Sequence, residues 1–172
     1  MPIVPDTKNW TWVLEKPCTE CGFDADGLSF RDVATRLRTN ADAWPAVLRR
    51  SDVRERPDEA TWSPLEYAAH VRDVFRVFDG RFRLMLDEDD PSFPNWDQDE
   101  TARDDDYVHQ DPETVSAELV EAAGVLVGTL DGVPDSALGR TALRGDGSRF
   151  TVETLGLYLL HDPVHHLHDV TA

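Results

Sequence analysis

The sequence predicts an all-α protein: an antiparallel four-helix bundle over residues 29–172, preceded by an irregular arm over residues 1–28. Two observations carry this. Four stretches repeat their apolar residues every three or four positions, the period of a helix that buries one face. The segments between them are polar and punctuated by proline and glycine, as connections are. With 172 residues the chain is long enough for one domain with a real core.

Each element has its own justification. The arm combines Pro2, Pro5 and Pro17 with Trp10, Trp12, Phe23 and the pair Cys18 and Cys21, a composition suited to an extended segment lying on the domain. Ser29 is placed to cap the first helix with Asp32 three residues on, and Phe30, Val33, Leu37, Ala41, Trp44 and Leu48 form its stripe. Pro45 is expected to bend or break it. The second helix has the clearest start signal, since Ser63, Pro64 and Glu66 combine an N-cap, a proline at the first helical position and a capping-box carboxylate. Its stripe is Tyr67, Val71, Val74, Phe78, Phe82 and Met85, and His70 lies at the edge of that stripe, facing the core. Residues 87–111 are strongly acidic, contain Pro91 and Pro94, and read as a long solvated connection. Asp111 and Pro112 start the third helix, which ends near Gly132. Residues 135–150 read as a turn or short extended excursion, and the last helix begins near Thr151.

Acids outnumber bases 34 to 17, a formal charge of −17. A phosphate backbone or an anionic bilayer would be repelled, so neither nucleic acid nor membrane is expected as a partner. No apolar stretch has the length of a membrane span. The N-terminus lacks the charged start and apolar run of a signal peptide, so a cytoplasmic protein is expected.

The chemistry concentrates at the C-terminus, where His161, His165, His166 and His168 fall within eight residues. His161 and His165 are spaced i, i+4, which puts both imidazoles on one helix face. Two neutral imidazoles so placed are half of a transition-metal site. Pro163 between them removes an amide from the helix, so a kink is expected there. His166 points elsewhere and reads as surface or packing, and His109 as exposed. His168 returns to the face of His161 and reads as bland, with a fourth ligand or a proton carrier as the open alternatives.

The run Trp62-Ser63-Pro64-Leu65-Glu66-Tyr67-Ala68-Ala69-His70, together with His161-Asp162-Pro163-Val164-His165-His166, resembles the DinB superfamily over roughly residues 29–172. The resemblance implies a four-helix bundle with an unusual connection order. It also implies one divalent metal, zinc or nickel, held by a histidine of the second helix and two ligands spaced i, i+4 on the last. Carried onto this sequence, the ligands are His70, His161 and His165. Three imidazoles leave an open coordination position, as reactive rather than closed sites do. Each ligand needs an acceptor for its other ring nitrogen. Glu66 and Asp73 near His70, and Asp162 and Asp169 near His165, are the candidates.

Characterised members of the family use a low-molecular-weight thiol such as mycothiol or bacillithiol. The resemblance therefore implies a metal-dependent thiol S-transferase or isomerase, with a small thiol and an electrophile as partners. Arg72 or Arg76 are candidates to hold a carboxylate. The alternative is a non-catalytic, metal-stabilised bundle serving as a homodimerisation or partner-binding module; a pocket beside the metal would separate the two. Cys18 and Cys21 lie outside the family's common core. Four-thiolate zinc needs a second cysteine pair, which the chain lacks, so an ordinary turn with reduced thiols is expected, with a second metal completed by a histidine as the alternative.

Overall fold

Four long helices carry the molecule in the computed structural model, which describes residues 9–172. Pro2 and Pro5 of the expected arm lie outside the described residues. The long helices are α1 (Phe30–Leu48), α2 (Pro64–Asp87), α4 (Pro112–Asp131) and α5 (Val152–Thr171), with a short α3 (Gln98–Asp104) between the second and third of them. Their starts follow the expected capping. The Ser29 amide and hydroxyl both donate to Asp32, each at 2.7 Å. At α2, Ser63 N–H donates to Glu66 Oε2 at 2.9 Å and Glu66 N–H to Ser63 Oγ at 3.3 Å. Asp111 accepts from the Thr114 amide, and Thr151 from the Thr154 amide. Each such cap satisfies amides that have no partner inside the helix.

The apolar stripes then choose the neighbours. Both α1 and α2 pack against α4 and against α5, whereas α1 and α2 touch each other less. Going round the bundle the order is therefore α1, α4, α2, α5, so α1 and α2, joined by a loop, face each other across the core. Trp44, Phe75, Phe82, Met85, Leu119, Leu126 and Leu155 fill the centre. At the α1–α5 crossing a Cβ built on Gly156 would lie 2.8 Å from the Phe30 ring, so only glycine lets the two helices approach this closely.

Three expectations are corrected. The all-α class omits a small sheet: β1 (Ser92–Phe93) runs parallel to β2 (Thr141–Arg144), which pairs antiparallel with β3 (Arg149–Thr151). Strands this short carry too few residues for a period of two to register. The acidic connection is not simply solvated. It contains β1, α3 and a 3₁₀ turn at Tyr107–His109, and it buries Phe93 and Tyr107, whose hydroxyl donates to Asp73 Oδ2 at 2.6 Å. Finally, Pro45 does not break α1, which runs through it, and Pro163 likewise lies within a continuous α5. The Pro163 carbonyl accepts from Asn40 Nδ2 at 2.8 Å, and Asn40 Oδ1 accepts from Trp44 Nε1, which ties α5 to α1 beside the histidines. No helix among the described residues is long and apolar enough to cross a membrane.

Candidate metal centres

One turn and a half of α5 offers two i, i+4 pairs, not one. His161 and His165 share a face, with ring centroids 5.1 Å apart. Asp162 and His166 have the same spacing and lie one residue further round the helix. Packing of α5 against α2 on one side and the arm on the other aims these pairs at different partners. His70, Asp162 and His166 form one group; Cys18, Cys21, His161 and His165 form another. Within each group the donor atoms lie within 4.8 Å of one another. The expected set of His70 with His161 and His165 is thus not what the structure brings together. Each of the three belongs to a group with metal-ligating chemistry, but His70 is across from the neighbouring face.

In the first group His70 is fully buried at the start of α2, stacked on Trp96 with ring planes 3° apart and centroids 5.4 Å apart. Its Nε2 lies 3.3 Å from Asp162 Oδ1 and 3.4 Å from Oδ2. His166 Nε2 lies 3.9 Å from Asp162 Oδ1, while its Nδ1 contacts Asp169 Oδ2 at 3.1 Å. A carboxylate on the far ring nitrogen is how a ligating imidazole is fixed in tautomer and orientation. Burial alone would raise the Asp162 pKa, but the charges of His70 and His166 and the bond from His70 outweigh it and hold the carboxyl well below its ordinary range. An anionic oxygen between two imidazoles is what a divalent ion requires. His166 packs as expected, its ring 4.8 Å from that of Tyr67 and 5.0 Å from that of His70, and it also joins the first group.

In the second group Cys18 Sγ lies 3.7 Å from His165 Nδ1. Burial, with the charge of nearby His165, pushes the His161 pKa down to about 4, so its ring is neutral and able to ligate. Burial likewise pushes the Cys21 thiol up to about 11. His168 and His109 are exposed and belong to neither group.

Among the described residues, the buried side-chain polar atoms without a hydrogen-bond partner are His70 Nδ1, His161 Nε2 and Asp162 Oδ1. An unsatisfied buried polar atom costs about 1–3 kcal/mol, and native proteins hold few of them. All three fall in the two groups, so the residues present fit the ions their chemistry implies.

The outer partners expected for His70 have other duties. Glu66 caps α2 and is clamped by Arg56, whose Nε donates at 2.8 Å. Asp73 takes a bidentate pair from Arg72, both bonds at 2.9 Å. Arg72 and Arg76 are spent on Asp73 and Glu118, so neither offers a free guanidinium to a substrate.

A cavity of about 870 Å³ opens beside both groups, with Asp162 and His166 of the first, His161 and His165 of the second, and Trp62 and Trp96 among its walls. Two cations missed by sequence reasoning line it, Arg81 and Arg144. Arg144 is matched by Asp146, at 3.0 and 2.7 Å, and its Nη1 donates to the Tyr158 hydroxyl at 3.0 Å. Arg81 is buried between the rings of Phe78 and Phe93, and its bond is to the Pro94 carbonyl at 3.3 Å. Among the described residues it has no carboxylate at ion-pair distance. Burial and the neighbouring Arg144 push it down to about 10, which leaves it charged at neutral pH. Arg144 lies on β2, a strand too short to register in the sequence, and Arg81 lies on α2, where helical spacing alone does not mark it as facing a cavity.

The family model of the DinB superfamily matches residues 34–170. No curated protein matches the chain. Among solved structures, YfiT from Bacillus subtilis, described as a probable metal-dependent hydrolase with an unusual four-helix bundle topology, is similar with a TM-score of 0.68 and 23% identity, over 90% of this chain and 86% of that one. At that identity the likeness shows the fold.

Proposed function

The chain belongs to the DinB superfamily, and from that premise we propose that it is a metal-dependent enzyme that transfers a low-molecular-weight thiol to an electrophile or isomerises a thiol adduct. The ligands in this reading are His70, Asp162 and His166. The observation that carries it is their grouping within 4.8 Å, two imidazoles and a carboxylate, with Asp162 and His166 on the wall of an 870 Å³ cavity and His70 buried behind them. That volume is within the range of small-molecule sites, about 300–1,000 Å³. A purely structural metal would be sealed by four ligands; three would leave one position open to a substrate.

A divalent ion held there supplies Lewis acidity, lowering the pKa of a coordinated thiol or water so that a nucleophile exists near neutral pH. The donor set suits zinc or nickel. The chain's own residues do the rest. Asp169 holds the His166 ring through Nδ1. Trp96 and Trp62 cover His70 and exclude water from that side. Arg81, a buried cation with no carboxylate at ion-pair distance among the described residues, is positioned to take an anionic group of the thiol or of its acceptor. Its donors would orient that group with little reorganisation.

Hydrolysis is the second reading, favoured by the description of YfiT as a probable metal-dependent hydrolase. It uses the same ligands with water in place of thiol. One experiment separates these from a non-catalytic bundle. Metal-loaded protein is assayed with mycothiol or bacillithiol and a fluorogenic electrophile, and in parallel with an ester and no thiol. Metal-dependent conjugation that is lost in His70→Ala supports S-transfer. Ester cleavage alone moves the assignment to hydrolysis, and inactivity in both arms returns the bundle to a structural or dimerisation role.

A further inference from the structure

The second group has no place in that chemistry. Cys18 and Cys21 sit on a tight turn of the arm, closed by Cys18 N–H donating to the Phe23 carbonyl at 2.8 Å and Gly22 N–H to the Cys18 carbonyl at 2.9 Å. Gly22 has φ +74°, a left-handed conformation that glycine adopts without strain and that turns both thiols to one side. They face His161 and His165 on α5, both buried. Both cysteines are free thiols.

We propose that Cys18, Cys21, His161 and His165 form a second, four-coordinate metal site of zinc type that staples the N-terminal arm to α5. Five observations support it. Two thiolates and two imidazoles are the donor set of closed structural zinc. All four donor atoms lie within 4.8 Å of one another, against the roughly 3.3–3.8 Å that donors span around a tetrahedral zinc ion. The His161 Nε2 is buried without a hydrogen-bond partner. The outer nitrogen of His165 has carboxylates to meet, Glu20 Oε2 at 3.4 Å and Asp169 Oδ1 at 3.7 Å. Trp10, Trp12 and Phe23 pack around the His161 ring, at 5.3, 6.5 and 5.5 Å between centroids, and shelter the group.

The site matters beyond the arm. Asn9, Trp10 and Glu20 of the arm form part of the cavity wall. The second metal therefore fixes one side of the substrate cavity, and it holds the same turns of α5 that carry Asp162 and His166. It acts as a positioning device, and its two imidazoles, His161 and His165, form part of the same wall.

The test is metal content and ligand type of the full-length protein. Wild type loaded with zinc is expected to hold two equivalents. The double variant Cys18→Ser/Cys21→Ser is expected to keep one, and His70→Ala to keep the other. With cobalt in place of zinc, a sulfur-to-cobalt charge-transfer band is expected in wild type and in His70→Ala, and its loss in the cysteine variant. X-ray absorption of zinc-loaded wild type needs no variant to fold, and should show sulfur scatterers at about 2.3 Å. A Cys18–Cys21 disulfide in the reduced, metal-loaded preparation, or a zinc edge without sulfur, overturns the proposal. Failure of the pocket reading looks different: zinc bound through sulfur with no second equivalent.

Discussion

Replacing Asp169 with alanine removes a side chain that addresses both metal groups, and the geometry says by how much each should weaken. Asp169 Oδ2 lies 3.1 Å from His166 Nδ1, within hydrogen-bond range, while its Oδ1 is 3.7 Å from His165 Nε2, outside it. Loss of an outer-shell partner costs a metal site about 10–100-fold in affinity, or roughly 1.4–2.7 kcal/mol. The carboxylate keeps 27% of its surface in water, so the lower end applies, about tenfold at the pocket group. His165 keeps Glu20 at 3.4 Å, so the cysteine group should weaken by no more than about threefold, well under the full outer-shell effect. The assay is competitive zinc titration against a chromophoric chelator, read as two dissociation constants and compared with Glu20→Ala. Equal weakening of both sites, or no change at the pocket site, would refute the role given to Asp169 and the assignment of His166 as a ligand.

Further outcomes follow from the packing and the cavity. Gly156→Ala would drive a methyl to 2.8 Å from the Phe30 ring and should destabilise by about 1–3 kcal/mol in chemical denaturation; unchanged stability would mean that α1 and α5 are less close than described. Tyr107→Phe leaves Asp73 without its 2.6 Å hydroxyl and should cost about 1–2 kcal/mol. Burial raises the Asp73 pKa, but Arg72 and Tyr107 more than offset this and hold it below its ordinary value. A carboxyl depressed on folding contributes stability above its unfolded pKa of about 3.9 and loses it as pH falls through the folded value. Stability should therefore fall on acidification below about pH 4, with a shallower slope in Asp73→Asn. Arg81→Gln should leave zinc content unchanged and raise KM for an anionic acceptor by about tenfold or more, as for a lost charge-assisted bond of roughly 1.5–3 kcal/mol; an unaltered KM removes Arg81 from substrate binding.

Much of the bundle was legible because helices announce themselves through caps and periodicity. Ser63 with Glu66, and Asp111 with Pro112, mark the starts of α2 and α4 where the structure has them. Of the small sheet the extended excursion expected over residues 135–150 holds β2 and the start of β3, but β1 was not legible, since it is two residues long and owes its existence to β2, some fifty residues later. The acidic connection misled for a related reason: composition reports its many carboxylates, not the few buried residues, Phe93 and Tyr107, that seat it. At the site, spacing pointed to α5 but could not choose between two overlapping i, i+4 pairs, and His70 entered through the family resemblance. His161 with His165 and Asp162 with His166 satisfy the same rule, and a shift of one residue turns the helix by about 100°. The missing signal was the cysteine pair. Cys18 and Cys21 group with His161 and His165, which leaves Asp162 and His166 beside His70.

The central claim is that His70, Asp162 and His166 hold the pocket metal. Anomalous diffraction at the zinc edge from crystals of the zinc-loaded protein tests it most directly. The account predicts a peak at about 2.0–2.2 Å from one nitrogen of His70, one oxygen of Asp162 and one nitrogen of His166, opening on the cavity that Arg81 lines. A peak coordinated by His70 together with His161 and His165 would contradict it.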